Sequence, residues 1–221
     1  METVEEQSDE VVSDDKSECP DGKSGYPGDV DADLIARCKE ELPHETAAYY
    51  ELLKKYESMV YSTCYRMLGD KLEAEEATQD AFLRIFHKIH QFEGRSTFKT
   101  WMFRIVYNFC MTRRRKLATK REREETVGDE MIIRTKEEHR MAMGPDMDNS
   151  EYVHLALKEL RDEDREIITL RFISDLSLEQ IAEVLDAKLS ATKMRLYRAM
   201  EKFKDVYLRQ QKAREEMLNE A

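Results

Sequence analysis

Leu53, Tyr56, Val60, Cys64 and Met67 recur at intervals of three and four residues, and this period constrains the fold more than any other feature. A stripe at that spacing lies along one face of an α-helix and on no single face of a strand. The period returns in Ala74, Ala77, Ala81, Phe82, Ile85, Phe86 and Ile89. It returns again in Phe98, Trp101, Met102, Ile105, Val106 and Phe109. The residues between the stripes are those of helix ends. Gly69 suits the close of a first long helix that starts near Thr46. Asp70 with Glu73 reads as a capping pair for the second helix, Gly94 marks a loop, and Ser96 or Thr97 caps the third. With only 7 Gly and 4 Pro in 221 residues, tight turns are few, and an all-α chain is expected.

A second helical unit is predicted downstream. Tyr152 to Leu160 and Asp162 to Ile173 read as two helices, the latter with acids in its first turn, where the helix dipole favours them. Ser177 and Gln180 form a capping box ahead of a short helix whose inner face is Ile181, Ala182, Val184 and Leu185. A break at Asp186 to Lys188 leads into a longer helix with the seam Leu189, Thr192, Leu196, Ala199 and Phe203. A short helix, a brief turn and a longer helix with a basic outer face have helix-turn-helix spacing. Two small helical domains are therefore expected, at 31–117 and 151–212. Between them, 118–150 reads as a flexible linker in which periodicity fades around Gly144-Pro145, and 213–221 reads as a C-terminal tail.

Charge is uneven. The formal net charge is -11, yet residues 1–33 alone hold 12 acids against Lys16 and Lys23, so the rest of the chain is close to neutral. The low overall pI is thus no argument against a nucleic-acid-binding body. Residues 1–30 have few large apolar groups and read as a disordered acidic tail. A short helix near Asp31 to Asp33 would carry Leu34, Ile35 and Cys38. No apolar run approaches the length of a membrane span, and the acidic start lacks the apolar core of a signal peptide. Cys19, Cys38, Cys64 and Cys110 have no CxxC spacing, and Cys64 and Cys110 fall among apolar residues, as reduced, buried thiols of a cytosolic protein do.

Two basic features are candidates for function. On the last helix Ser190, Ala191, Lys193, Met194 and Arg195 are placed to read base edges in a major groove, with Tyr197 and Arg198 toward the backbone. A solvated cationic face on a helical hairpin is the plainer alternative. In the segment FEGRSTFKTWMFRIVYNFCMTRRRK, Arg113, Arg114, Arg115 and Lys116 exceed what a helix C-terminus needs. Lys99, Arg104 and Asn108 share one polar face, which those cations extend into a track for a nucleic-acid backbone. The acids Glu73, Glu75, Glu76 and Asp80 fit a solvated face or a protein contact. His87 and His90 lack a third ligand in register, so no metal is expected. No catalytic triad, phosphate-binding glycine loop or paired catalytic carboxylates stand out, so neither an enzyme nor a cofactor is expected.

Together the two halves resemble a known family. The segment from Tyr49 to Lys116, with AEEATQDAFLRIF followed by F-x-G-x-S-x-F-x-T-W and an Arg-rich end, resembles the region-two domain of bacterial RNA polymerase sigma factors of the extracytoplasmic-function group. LKELRDEDREIITLRFISDLSLEQIAEVLDAKLSATKMRLYRAMEKF resembles their region-four domain. The resemblance implies a cytoplasmic promoter-specificity subunit. Its partners would be core RNA polymerase, through the clamp helices and the flap, promoter DNA and an anti-sigma factor, with no membrane insertion. The clamp-binding surface would include Glu76, Gln79, Asp80, Leu83 and Arg84. The minus-ten element would be opened at the loop of about 91–97, with Phe92, Arg95, Ser96, Thr97 and Trp101 at the melting edge. A captured base costs a few kcal/mol of unstacking that its pocket must offset. Lys99, Arg104, Asn108 and the cations Arg113, Arg114 and Arg115 would follow the duplex, while the last helix reads the minus-thirty-five element. The chain departs from the family pattern in its turn, where Asp186, Ala187 and Lys188 replace the usual Gly and aliphatic residue. Thr192 replaces an aliphatic residue and Ala191 a polar one.

Two other functions compete: a stand-alone helix-turn-helix regulator, and a sigma-like decoy that titrates an anti-sigma factor without touching DNA. The acidic tail would shield the basic surfaces of the free protein, or simply solubilise it.

Overall fold

The computed structural model describes residues 29–125 and 149–219, whose regular elements are eight α-helices and one 3-10 turn. The tail through residue 28, with Cys19, and the linker segment 126–148 lie outside the described residues. Four helices form the first unit: α1 (Ala32–Glu41), α2 (Ala47–Leu68), α3 (Lys71–Lys88) and α4 (Phe98–Glu125). The 3-10 turn (Ile89–Gln91) precedes the loop into α4. Four more form the second: α5 (Asn149–Glu159), α6 (Asp162–Phe172), α7 (Leu178–Val184) and α8 (Leu189–Asn219).

The helix ends follow local chemistry. Gly69 ends α2 in the left-handed region at φ 73°, where its N–H reaches the Tyr65 carbonyl. The Asp70 carboxylate accepts from Glu73 N at 2.9 Å and opens α3. Thr97 Oγ1 accepts from Thr100 N at 3.2 Å at the start of α4. On α3 the buried faces of Ala74, Ala77 and Ala81 are small, which lets α2 and α4 pack closely on either side of it. The α2 stripe predicted through Leu53 runs through Leu52 instead, with Leu53 partly buried at its flank. On α4, Phe103 is fully buried although it lies off the predicted stripe, because α4 packs against α2 and α3 and also against α7 of the second unit. Cys64 and Cys110 meet inside the first unit with sulfurs 3.7 Å apart.

α4 continues to Glu125, past the point where helix was expected to give way to linker. The sequence beyond Leu117 loses its apolar stripe but keeps Ala, Lys, Arg and Glu, which are strong helix formers in their own right. α8 likewise extends to Asn219, with Gln210 buried and bonded to Glu159 of α5 at 2.6 Å.

In the second unit the capping box forms in full: Ser177 Oγ accepts from Gln180 N, and Gln180 Oε1 accepts from Ser177 N. Between α7 and α8, Asp186 adopts φ 51°. The Ala187 N–H returns to the Ala182 carbonyl at 2.9 Å and the Asp186 N–H to that of Glu183 at 3.3 Å. This is the Schellman pattern, with aspartate at the position that usually takes glycine. Thr192 is buried because its hydroxyl bonds back to the Lys188 carbonyl at 3.1 Å. Leu189, predicted on the inner seam, is instead 39% exposed at the first turn of α8, and the seam starts at Thr192 and Ala199.

The two units are packed together. Thr63 of α2 and Ser174, just after α6, share a buried hydrogen bond of 2.9 Å. Tyr65 stacks on His154 of α5 with ring centroids 4.6 Å apart. Gln180 donates to Thr97 Oγ1 at 3.1 Å, and Lys99 Nζ donates to the Asp175 carbonyl at 2.8 Å.

Candidate nucleic-acid interface

The face of α8 opposite its seam is open. Ser190, Ala191, Lys193 and Arg198 are exposed, and Met194 and Tyr197 are 51% and 62% exposed. These residues lie on the first turns of a helix set by the α7–α8 turn, the geometry in which a helix presents side chains to a major groove. Arg195 is different. Its guanidinium turns back onto α6, donating to the Glu163 carbonyl at 2.6 Å and to Glu166 Oε2 at 3.1 Å.

The cations at the end of the first unit divide in the same way. Arg113 donates to Glu73 at 2.7 Å, Glu76 at 2.8 Å and Asp80 at 3.0 Å, bridging α4 to α3. Partial burial works against its charge, but the carboxylates of Glu76, Asp80 and Glu73 outweigh that and hold its pKa above the ordinary value. Arg114 points to the second unit and reaches Glu166 Oε1 at 2.5 Å and Asp162 at 3.3 Å. Arg115 and Lys116 are exposed, as are Arg104 and Asn108.

Around the 92–97 loop, the residues are ordered in layers. Phe92 is buried beneath the loop and meets Phe98 edge-on at 5.6 Å and Trp101 at 5.5 Å. Trp101, Ser96 and Thr97 are half-buried, while Arg95 is exposed and paired with Glu93. Thr97 and Lys99 both contact the second unit.

On α3, Glu76, Gln79, Asp80, Leu83 and Arg84 are all exposed. Leu72 and Leu83, 64% and 59% exposed, lie on the same side as Glu76, Gln79 and Asp80, giving a mixed apolar and acidic face.

Glu166 is a buried joint between the two units that the sequence does not disclose. It is 3% exposed and takes hydrogen bonds from Tyr107, Arg114 and Arg195. Burial and then the neighbouring Glu166 carboxylate push the Tyr107 phenol up to about 12.

Comparison with known proteins gives these surfaces a common setting. The sequence matches the family Sigma-70 region 2 over residues 52–120 and the family Sigma-70, region 4 over residues 150–203, together more than half of the chain and in that order. The chain belongs to the extracytoplasmic-function sigma factors. It is 29% identical over 171 residues to the sigma factor SigW of Bacillus subtilis, covering 75% of this chain and 91% of that protein. Two solved structures share the fold of this sigma factor. One is the sigma factor RpoE in complex with the anti-sigma factor NepR from Bartonella quintana, at TM-score 0.59 and 22% identity, covering 72% of this chain and 95% of that one. The other is CnrH in complex with the cytosolic domain of CnrY, at TM-score 0.55 and 19% identity, covering 78% and 94%. As a sigma factor the chain directs RNA polymerase to promoters. No described helix is long and apolar enough to cross a membrane. α1 and the whole of α8 beyond Phe203 lie outside the matched regions.

Proposed function

We propose that this sigma factor docks on core RNA polymerase through the outer face of α3, opens the minus-ten element at the 92–97 loop and reads the minus-thirty-five element with α8. The open face of α8 carries the proposal: Ser190, Ala191, Lys193, Met194, Tyr197 and Arg198 all meet solvent on the helix that follows a helix-turn-helix turn. Exposed Leu72 and Leu83 beside Glu76, Gln79 and Asp80 suit a polymerase surface that buries the leucines within a polar surround. The chain acts by binding, not by catalysis, in the bacterial cytoplasm. Its free form is a binding partner for an anti-sigma factor, a reading supported by the complexes of its structural relatives. Thr97 and Lys99 are held by Gln180 and Asp175, so engagement of the minus-ten element requires the two units to part.

Separate variants test the two surfaces with purified core polymerase. Leu83→Arg is expected to weaken core binding by roughly tenfold or more, as loss of an interface anchor does, at unchanged helix content. Lys193→Ala with Tyr197→Ala is expected to keep core affinity and lose transcription from promoters that need the upstream element. If Leu83→Arg binds core normally, or the α8 variant transcribes normally, the corresponding surface is misassigned.

A further inference from the structure

Both ends of the 92–97 loop are fastened by α1 and the turn before it, which lie ahead of the matched region. At one end, Asp29 Oδ2 accepts from the Phe98 N–H at 2.7 Å, at the mouth of α4. The first N–H groups of a helix have no partner within it, and a carboxylate there is favoured by both hydrogen bonding and the helix dipole. At the other end, Lys39 Nζ donates to the Phe92 carbonyl at 2.6 Å and lies 5.6 Å above the Phe92 ring. A charged donor makes this bond stronger than a neutral one.

α1 is itself held firmly. Asp31 is 1% exposed and takes both the Lys55 ammonium and the Tyr56 hydroxyl. Ile35 and Cys38 pack into the core, and Glu41 caps α2 by accepting from Ala48 N at 2.8 Å. Between the two fastened ends the loop turns at Gly94, φ 71°, and presents Arg95 to solvent. The contacts from Gln180 and Asp175 belong to the second unit and leave with it, whereas Asp29 and Lys39 stay with the loop.

We infer that Asp29 and Lys39 are positioning residues that set the spacing of Phe92 and Phe98, and through them the shape of the loop that discriminates the minus-ten sequence. This rests on the proposed contact of that loop with promoter DNA. Neither residue touches DNA; each acts through a backbone group at a loop end. Removing one fastening leaves the core and the docking face in place but lets the loop sample more than one shape. Selectivity falls before binding does.

The test uses the full chain with core polymerase and a pair of pre-melted fork templates. One carries the minus-ten motif mapped with the wild-type protein and the other a single-base change in it. The measured quantity is the ratio of open-complex formation on the two. Asp29→Ala and Lys39→Met are each expected to lower that ratio by about tenfold or more, the scale of one lost charged hydrogen bond, with core affinity within twofold of wild type. Asp29→Asn, whose amide oxygen still accepts from Phe98 N, and Lys39→Arg are expected to restore most of it. Two outcomes overturn the inference. One is an unchanged ratio in both disruptive variants. The other is a parallel fall in core affinity, melting temperature and output at constant ratio, which marks a purely structural role. A wild-type protein that shows no discrimination at all defeats instead the assignment of the loop to the minus-ten element.

Discussion

Asp186 occupies the left-handed region at φ 51°, where a side chain is strained and glycine is not. Aspartate is among the residues that tolerate the position, and a β-branched residue is not. Asp186→Val is therefore expected to destabilise the second unit by about 1–2 kcal/mol, and Asp186→Gly to leave it unchanged or slightly more stable, as read by thermal melting. The absence of the usual glycine is visible in the sequence, and the structure shows that the turn closes as a Schellman motif without it. Other residue roles are not visible there. Glu166 sits among acids that suit the start of a helix, yet its partners Tyr107 and Arg114 come from α4, far away in the chain. Arg113 reads in sequence as one of four loose cations, but three carboxylates of α3 claim it. Only packing decides which members of a charged run stay exposed, and here Arg115 and Lys116 do.

At the scale of elements, helix boundaries were well marked where a cap is local. Gly69, Asp70 and the Ser177/Gln180 box act within four residues of themselves, so their chemistry is legible in the chain. Ser177→Ala is expected to cost about 1 kcal/mol, the usual effect of a lost N-cap, and to lower the melting temperature of the second unit. The start of α4 was only half legible. Thr97 is local, but the Asp29 carboxylate comes from a segment that reads as acidic tail. The α3–α4 pairing makes a further prediction. Arg113→Ala leaves Glu73, Glu76 and Asp80 without their shared cation, and is expected to cost about 1–3 kcal/mol as a partly buried pair is broken. Denaturant unfolding checks it. If Arg113 serves DNA alone, stability will not change.

For the whole molecule, helical class and two-part order follow from periodicity, but the arrangement of the parts does not. Thr63, Ser174, Thr97 and Gln180 are small or polar residues with no pattern that announces a joint, and they meet across it. Glu166 ties Tyr107 and Arg114 on one side to Arg195 on the other. Glu166→Ala is expected to loosen the joint and raise the radius of gyration in small-angle scattering, with helix content retained. The joint is also expected to weaken in alkali. The folded Tyr107 phenol titrates near 12, above its ordinary value of 10.0, so its contribution is complete below about pH 10 and is lost as the pH rises through about 12. Phenolate absorbance at Tyr107, read as the difference from Tyr107→Phe, checks the shift.

The central claim, that this chain selects promoters for RNA polymerase, is tested most directly by adding the purified protein to bacterial core polymerase on a genomic library and mapping transcript starts. New discrete starts preceded by a shared two-part motif are predicted. Binding to core without new starts would contradict promoter selection and favour the decoy, and no binding to core would contradict a sigma role altogether.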